Sequence, residues 1–369
     1  MNSVIYTGFM LFLWAVNLLN GTGLGAAYRT TEYARILLAL IALLFLLNKV
    51  RKEGGCYVKK RYFFVLLPLA LIFIAVSIVN GHGLMGLDYL WVFLVVFILY
   101  NTRPTTGTLR LVGMSYAVLG LAVLFIYQYT DVLKGWNPNS IAMIGLFSFL
   151  IFIIPYYGAR DFRSFVMLSL VGFAYCYLIW PTDSRSCIIT IIVSLLLSFR
   201  ILSVEKIMTS SSGLFIALLV PLMVSGLVAT VSGSGSLAEL EQWSRSQFGK
   251  PLFNGRDLTW IQGFQQLWKN PFFGRGYISA GIWHNSALAC LTAYGSVGYF
   301  LWIKLFHMLL KEAAPYVKDV CVIGCMTVFM VIYWQQSVEL GFFAPNPNLL
   351  PYAMLGILLG RINALRSRL

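Results

Sequence analysis

The chain has 369 residues, of which 59% are hydrophobic and 11% are charged, and its mean hydropathy is +0.79. A soluble domain carries about 25% charged residues, so this composition excludes a soluble enzyme, a disordered chain and a nucleic-acid-binding domain. The apolar residues fall in long runs, which indicates an integral membrane protein. In such a protein the net charge of +14 reflects topology, because basic residues are retained on the cytoplasmic side.

Twelve apolar runs predict membrane spans. Lipid offers no partner for backbone hydrogen bonds, so every span is expected to be an α-helix. The predicted fold is therefore all-α: a polytopic integral membrane bundle of about 12 transmembrane helices. In chain order the predicted spans cover residues 3–20, 34–48, 62–80, 87–100, 109–130, 140–157, 163–180, 187–200, 214–232, 285–306, 319–338 and 343–360.

The connections between these spans differ strongly in charge. When the even-numbered connections and the C-terminal tail are placed on one side, that side holds 18 of the 27 Lys and Arg residues. The other side holds nine, of which five lie in one long loop, and long loops count little in the positive-inside rule. The asymmetry predicts that both termini are cytoplasmic.

A polar segment at residues 233–284 interrupts the apolar pattern on the predicted outer side. The predicted organisation is therefore helices one to nine in 1–232, an extracytoplasmic loop in 233–284, and three helices with a basic cytoplasmic tail in 285–369. From Asp257 to Lys269 apolar residues recur at helical spacing, and Pro271 follows as a stop. We expect this segment to form an amphipathic helix on the outer membrane surface, over the mouth of the bundle.

Few residues on the predicted outer side combine a charge with a position next to a span. Arg185 begins the eighth span and is interpreted as an anion-binding side chain facing a cavity, or as an interfacial anchor paired with Asp183. Arg256 opens the amphipathic helix and is either a phosphate ligand or a solvated charge. Arg275 lies between two glycines, and its first interpretation is a solvated charge.

Two uncharged or titratable residues complete this set. His284 stands at the start of the tenth span, where an imidazole with a pKa near 6.5 suits proton abstraction. The alternative is an interfacial side chain with a polar tip. Asn139 is interpreted first as a cap of the sixth span, and second as a hydrogen-bonding group for a sugar or phosphate.

Sequence patterns of other reactions are missing: the chain has no His-Glu-x-x-His, Gly-x-Ser-x-Gly or Walker sequence. Glu239 and Glu241 are the close acid pair on the outer side, and a metal role for them is a minor hypothesis. Glu339, at an outer span end, is the main acid of the kind that proton-driven transporters use. The sequence thus predicts no metal site and no cofactor.

Residues in and after the outer loop form a pattern that can be compared with known families: Asn254-Gly255-Arg256, Trp260, Asn270-Pro271, Gly274, Gly276, His284-Asn285, Gly295 and Gly298. It resembles the bacterial O-antigen ligase and O-antigen polymerase superfamily, polytopic proteins with a large outer loop near the C-terminal third. Ser184-Arg185-Ser186 and Asn137-Pro138-Asn139-Ser140 are similar to an arginine motif and an Asn-Pro turn of that family. The similarity covers roughly residues 130–300, and residues 1–130 match only in hydropathy.

The resemblance implies a metal-independent inverting glycosyltransferase in the bacterial cytoplasmic membrane, with its active site on the extracytoplasmic face. The implied partners are an undecaprenyl-diphosphate-linked glycan donor, a glycan acceptor, the lipid bilayer and a chain-length regulator. Arg185 and Arg256 would stabilise charge on the departing diphosphate, and His284 would take the proton of the acceptor hydroxyl. The substrate-binding residues implied are Asn139, Trp260, Arg275 and Asn285.

Three functions remain open at this point. The stretch from His284-Asn285 to Gly298 favours a polymerase of surface polysaccharide (O-antigen, capsule or exopolysaccharide). The first alternative is a ligase that passes the lipid-linked glycan to lipid A core or another acceptor. The second is a transporter or flippase for a lipid-linked sugar, which would scatter polar residues through mid-span positions. Here they cluster at outer span ends, which favours an enzyme.

Overall fold

The structure, a computed structural model, describes residues 3–20, 29–53, 59–159, 161–233, 238–249, 251, 253, 255–277, 284–339, 341–344 and 347–367. Within these ranges all regular secondary structure is helical, and the all-α prediction is confirmed there.

Fifteen α-helices are numbered here in chain order. They are α1 (Ser3–Asn20), α2 (Thr30–Glu53), α3 (Lys60–Val79), α4 (Phe93–Tyr100), α5 (Thr106–Tyr129), α6 (Pro138–Ile153), α7 (Phe162–Ile179), α8 (Arg185–Ser198), α9 (Glu205–Thr209), α10 (Ser211–Gly233), α11 (Ala238–Phe248), α12 (Arg256–Lys269), α13 (Ser286–Lys311), α14 (Val320–Gln335) and α15 (Leu349–Arg366). Short 3-10 helices cover Met85–Tyr89, Ile154–Tyr156, Trp180–Thr182 and Ala314–Tyr316.

Eight helices in the described ranges are long and apolar enough to cross a membrane, namely α1, α2, α3, α5, α6, α7, α10 and α13. A further two apolar helices, α8 and α14, are shorter, with 14 and 16 residues. The predicted fourth span, 87–100, contains the eight-residue α4 and part of the 3-10 helix Met85–Tyr89. The chain is thus a polytopic helical protein by length and composition, while the count of 12 spans stays a prediction.

The two ends of the bundle can be told apart by contacts. Ser3, at the start of α1, shares a hydrogen bond of 2.9 Å with the Thr108 hydroxyl near the start of α5. Arg361, near the end of α15, donates to the Thr106 hydroxyl at 3.2 Å. The start of α1 and the end of α15 therefore lie at one end of the bundle. Which side of the membrane this end faces stays a prediction.

The centre of the bundle is formed by α6, α13, α14 and α15, most of whose residues are buried. In the apolar stretches of α3 and α7 only 28% of the residues are buried. Within the centre, α14 and α15 pack against each other. On the peripheral helices large apolar side chains point outward, as Phe64 and Phe173 do. This distribution suits a bundle surrounded by lipid, where outward apolar side chains carry no penalty.

Helix α13 is interrupted at Gly295, where φ is 65° and ψ is −173°. The backbone of residues 271–276 of the outer loop packs into this break: Ser296 N donates to Pro271 O at 2.9 Å, and Gly276 N donates to Ala293 O at 2.7 Å. A Cβ at Gly295 would lie 2.2 Å from the Phe272 carbonyl carbon. The loop thus replaces hydrogen bonds that the broken helix loses, which buried non-helical backbone requires.

The described part of the polar segment 233–284 contains two helices, α11 and α12. The helix predicted from Asp257 to Lys269 is confirmed as α12, which packs against α10 and α13. Its position on the outer membrane surface stays a prediction. Helix α11 was not expected, because the stretch before it is rich in Ser and Gly. Its own residues, Ala238 to Trp243, are nevertheless good helix formers. Asn254, part of the family-like pattern, lies outside the described residues.

The cap of α6 corrects one expectation. Asn137, not Asn139, is the N-cap, and its side-chain oxygen accepts the backbone N–H of Asn139 at 2.9 Å. Pro138 follows at the first helical position, where its missing N–H costs nothing. Asn139 is the second residue of the helix, and its side chain is exposed.

Candidate functional site

Glu339 is the meeting point of two chain segments on the predicted outer side. Its Oε1 accepts a hydrogen bond from Arg256 Nη2 at 3.2 Å and another from the Ser186 hydroxyl at 3.1 Å. The carboxylate is 15% exposed and the Arg256 side chain 21%, so this ion pair is largely shielded from water. We refer to Glu339, Arg256 and Ser186, with the adjacent Arg185 and His284, as the Glu339 cluster.

Arg256 is positioned by the start of α12. Gly255 is the N-cap residue and adopts φ = 79°, a left-handed conformation that suits glycine. Trp260, one turn further along, is fully buried and lies 6.4 Å from the ring of Phe253. The ring therefore fixes α12 against the bundle, which holds Arg256 in place.

Arg185 and Ser186 occupy the first turn of α8. Asp183 turns the chain at φ = 58°, and Arg185 N donates to Asp183 O at 3.0 Å. The Arg185 side chain is exposed, while the next residue reaches Glu339. Because α8 and α12 both present their N-termini here, their partial positive charges add to those of the arginines. The arrangement favours an anion at this point.

His284 stands two residues before α13, in a left-handed backbone conformation with φ = 36°. This conformation is uncommon for a residue with a Cβ. Burial lowers the pKa of His284 below 6.5, and the positive charge of Arg256 lowers it further, while Glu339 acts in the opposite direction. Its Nδ1 is shielded from solvent and has no hydrogen-bond partner among the described residues.

Asn285 anchors the chain directly after His284. Its Nδ2 donates to Pro221 O at 2.8 Å and to Ser337 O at 3.0 Å, and its Oδ1 caps α13 by accepting Leu288 N at 2.9 Å. The side chain is completely buried. Its amide therefore ties together α10, α13 and the segment after α14, and the strained neighbour His284 is held by this anchor.

A network of buried polar groups begins at Ser286, directly after Asn285, and includes Gln335 and Gln336. Ser286 N donates to Gln336 O at 3.1 Å, and the Ser286 hydroxyl donates to Gln336 Oε1 at 2.9 Å. Gln336 Nε2 donates to Gln335 Oε1 at 2.7 Å, and Gln336 Oε1 also accepts Phe342 N at 2.9 Å. Satisfied polar networks of this kind fix backbone positions in an apolar surrounding. This one holds the start of α13 and the end of α14 together.

Two other predicted substrate-binding residues lie apart from this cluster. Arg275 is exposed, and its Nη1 donates to Gln266 Oε1 at 3.3 Å. Asn139 is exposed on the first turn of α6. In the described part of the chain, no hydrogen bond or ion pair joins either residue to Glu339.

Two residues of this cluster, Glu339 and Ser186, are not among the site residues predicted from the sequence. Glu339 has the larger part, because it contacts both Ser186 and Arg256. It was considered only as an acid for a transporter, and its partners are 83 and 153 positions away in the chain. Glu239 and Glu241 lie in the first turn of α11, where Glu241 pairs with Arg245 at 3.9 Å. Over the described ranges, no group of three or more His, Cys, Asp and Glu side chains is placed to hold a metal ion.

Comparison with known proteins gives a partial likeness. No protein-family profile matches the chain. A stretch of 135 residues, 36% of the chain, is 28% identical to phospho-N-acetylmuramoyl-pentapeptide-transferase of Limosilactobacillus reuteri strain DSM 20016. The same match is found with the enzyme of that name from Limosilactobacillus reuteri subsp. reuteri strain JCM 1112. The matched stretch spans 40% of the length of these relatives.

Proposed function

We propose that this protein is a membrane transferase of lipid-linked glycans. More specifically, we propose a polymerase that joins undecaprenyl-diphosphate-linked repeat units into a surface polysaccharide. The coarse part of the proposal, a transferase in a membrane, is supported by the eight apolar helices and by the partial likeness to a phospho-N-acetylmuramoyl-pentapeptide-transferase. The finer part rests on the residues of the Glu339 cluster and on the resemblance of the outer loop to the O-antigen polymerase and ligase superfamily.

The observation that carries the proposal is the ion pair of Arg256 with Glu339 beside His284. A lipid diphosphate has a similar oxygen geometry to a carboxylate and carries about two negative charges, so it can replace Glu339 as the partner of Arg256. Arg185, the first residue of α8, precedes Ser186, whose hydroxyl contacts Glu339. We propose that the exposed Arg185 side chain supplies a second guanidinium to the diphosphate. Two guanidinium groups suit the binding of a diphosphate.

The proposed reaction follows from these positions. The acceptor hydroxyl oxygen attacks the anomeric carbon of the donor from the face opposite the diphosphate. The bond between that carbon and the phosphate oxygen breaks, and its electron pair leaves with the diphosphate, whose charge Arg185 and Arg256 stabilise. His284 takes the proton of the attacking hydroxyl. Burial and the positive charge of Arg256 lower the pKa of His284, which favours the neutral imidazole that can accept this proton.

The other predicted site residues take different parts in this proposal. Asn285 acts as a positioning residue, because its amide is engaged with backbone groups of the protein itself. Trp260 fixes α12 and thereby Arg256. Arg275 and Asn139 are exposed and are proposed to contact distal sugars of the glycan chains.

The ligase and the transporter remain as alternatives to the polymerase. A ligase would use the same donor and the same cluster with a different acceptor, so acceptor choice is the test between the two enzymes. A transporter would need charged or polar groups at mid-span depth to carry a substrate across. The Glu339 cluster instead lies at helix ends, which supports an enzyme.

The test is extension of a defined substrate by the purified protein in liposomes. With an undecaprenyl-diphosphate-linked repeat unit alone, a polymerase yields a ladder of longer lipid-linked products, and excess EDTA leaves the ladder intact. With lipid A core added, a ligase yields a single transfer product and no ladder. If neither product forms while the lipid-linked sugar crosses the bilayer, the protein is a transporter and the enzymatic proposal is wrong.

A further inference from the structure

A second cluster of charges lies at the opposite end of the bundle, where α13 and α15 end. The Glu312 carboxylate, directly after α13 and only 3% exposed, forms an ion pair with Lys59 Nζ at 2.5 Å. Arg61, on the first turn of α3, and Arg366, the last residue of α15, pair with the same carboxylate. Arg366 Nε also donates to the Tyr316 hydroxyl at 3.2 Å. Three cations from two separate chain segments thus share one acid.

This Glu312 cluster has a surplus of positive charge. One carboxylate against three cations leaves a formal charge of +2, and within the described ranges these cations form no ion pair with another acid. Burial lowers the pKa of Lys59 to about 8, and the like charges of Arg366 and Arg61 contribute to the lowering. At pH 7 the amine is still mostly protonated, so the surplus persists. An added anion would relieve the repulsion among the three cations.

The cluster also lies at the ends of two helices, the start of α3 and the end of α15. Arg61 begins the apolar window of α3, and Arg366 ends α15, so these side chains stand at the boundary of the apolar region. Arg61 is 54% exposed, Lys59 35% and Arg366 32%, so each reaches the surface.

An apolar surface continues from Arg61 along α3. Phe64, Leu67 and Leu71 follow at intervals of three and four residues, and all three are exposed. Residues with this spacing share one face of a helix with Arg61. A ligand bound to the cations can therefore lay hydrocarbon chains along this face.

We propose that the Glu312 cluster binds the phosphate of an anionic phospholipid, whose acyl chains lie along the exposed apolar face of α3. The phosphodiester completes the charge balance of Lys59, Arg61 and Arg366. It also joins the start of α3 to the end of α15 through one ligand. Phosphatidylglycerol has the required headgroup, whereas phosphatidylcholine cancels its own phosphate charge.

The test uses the purified full-length protein in detergent with mixed phosphatidylglycerol and phosphatidylcholine, and counts retained lipids by native mass spectrometry. Wild type is expected to retain phosphatidylglycerol in preference to phosphatidylcholine. Arg366→Gln leaves Glu312 paired with two cations, so folding is expected to persist while the affinity for phosphatidylglycerol falls about fivefold. Arg103→Gln is the matched control: Arg103 is exposed near a span end, and within the described ranges no ion pair joins it to Glu312. Its loss is expected to leave retention unchanged.

Glu312→Gln is expected to change phosphatidylglycerol binding in the opposite direction to Arg366→Gln. It removes the internal counter-charge and is expected to increase phosphatidylglycerol retention, whereas a purely structural ion pair predicts no increase. Equal retention of both lipids by wild type, or equal loss in Arg366→Gln and Arg103→Gln, would overturn the proposal. Displacement of phosphatidylglycerol by millimolar inorganic phosphate, but not by chloride of equal ionic strength, would show that the site takes free phosphate and would overturn its assignment to a lipid.

Discussion

Replacing His284 is expected to separate activity from stability. Within the described residues its Nδ1 has no hydrogen-bond partner, and its left-handed backbone costs a residue with a Cβ roughly 1–2 kcal/mol. His284→Ala keeps that cost and breaks no side-chain hydrogen bond within the described residues, so we expect the free energy of unfolding to change by less than about 1 kcal/mol. Glycine tolerates this conformation, so His284→Gly is expected to be at least as stable as His284→Ala. Both variants should bind the lipid diphosphate donor and extend it about 10²–10⁴-fold more slowly.

Asn285→Ala is the matched variant next in the chain. It removes a helix cap and leaves the carbonyl groups of Pro221 and Ser337 without their buried donor. Three hydrogen bonds of about 1 kcal/mol each, with the cap effect included among them, predict a loss of about 2–4 kcal/mol in stability. Thermal unfolding in detergent, donor binding and product ladders are measured on the same preparations of each variant.

The outcomes discriminate between roles. Wild-type extension by His284→Ala would remove His284 from the mechanism, and a collapse of donor binding would make it a phosphate ligand instead of a base. Unchanged thermal stability of Asn285→Ala would refute the anchoring role of that amide. For a neutral imidazole base, activity is lost as the pH falls through its pKa. Because burial and Arg256 lower that pKa in the free enzyme, kcat/KM should be lost below pH 6.5, and His284→Gln should be as slow as His284→Ala at every pH.

Four further results are expected. Arg185→Lys should extend the donor poorly despite its retained charge, because an ammonium cannot present two parallel donors to a diphosphate; activity like that of wild type would contradict this. Glu339→Gln keeps an acceptor oxygen but removes the negative charge that raises the pKa of His284. The acid limb of the pH–activity profile should therefore move to lower pH. A move to higher pH would contradict the role of His284 as the base. Gly295→Ala places a Cβ 2.2 Å from loop backbone at φ = 65° and should cost about 2 kcal/mol or more in thermal unfolding, whereas Gly135→Ala, also at positive φ but in open space, should cost less. A membrane-impermeant thiol reagent should label Leu240→Cys from outside, and reporters fused within 49–60 or after residue 369 should be cytoplasmic; labelling of residue 240 from the cytoplasm would place the Glu339 cluster in the wrong compartment.

The long helices could be predicted from the sequence because a helix surrounded by lipid needs a long run of apolar residues. Helix α12 could be predicted because its apolar residues recur at helical spacing within one short segment. Two details were predicted wrongly or missed, namely the cap of α6 and the break in α13. Asn137 and Asn139 are both good capping residues, and only the position of Pro138 in the first turn decides for Asn137. The interruption of α13 was hidden because a single glycine in an apolar run is compatible with a continuous helix, and only the contact of Gly295 with the outer loop demands a break.

The candidate site residues could be proposed from the sequence, but the contacts among them could not. Arg256 and His284 stood out because charged or titratable groups are rare beside a span. Glu339 and Arg256 are 83 positions apart in the sequence and meet only in the folded chain. No local sequence pattern predicts such a pair. The same holds for Asn285, whose partners Pro221 and Ser337 lie 64 and 52 positions away. An asparagine suited to sugar binding by its chemistry is thereby engaged inside the protein.

On the proposed mechanism, the charges that bind the donor also control the base. Without donor, Arg256 lowers the pKa of His284, and Glu339 compensates only in part. A diphosphate bound to Arg256 adds negative charge beside the imidazole, and negative charge raises the pKa of a neighbouring His. The bound enzyme should therefore hold a stronger base than the free enzyme. This coupling predicts that the acid limb of kcat lies at higher pH than that of kcat/KM, since kcat reports the complex and kcat/KM the free enzyme. Coincident limbs would mean that the diphosphate binds too far from His284 for the two groups to interact.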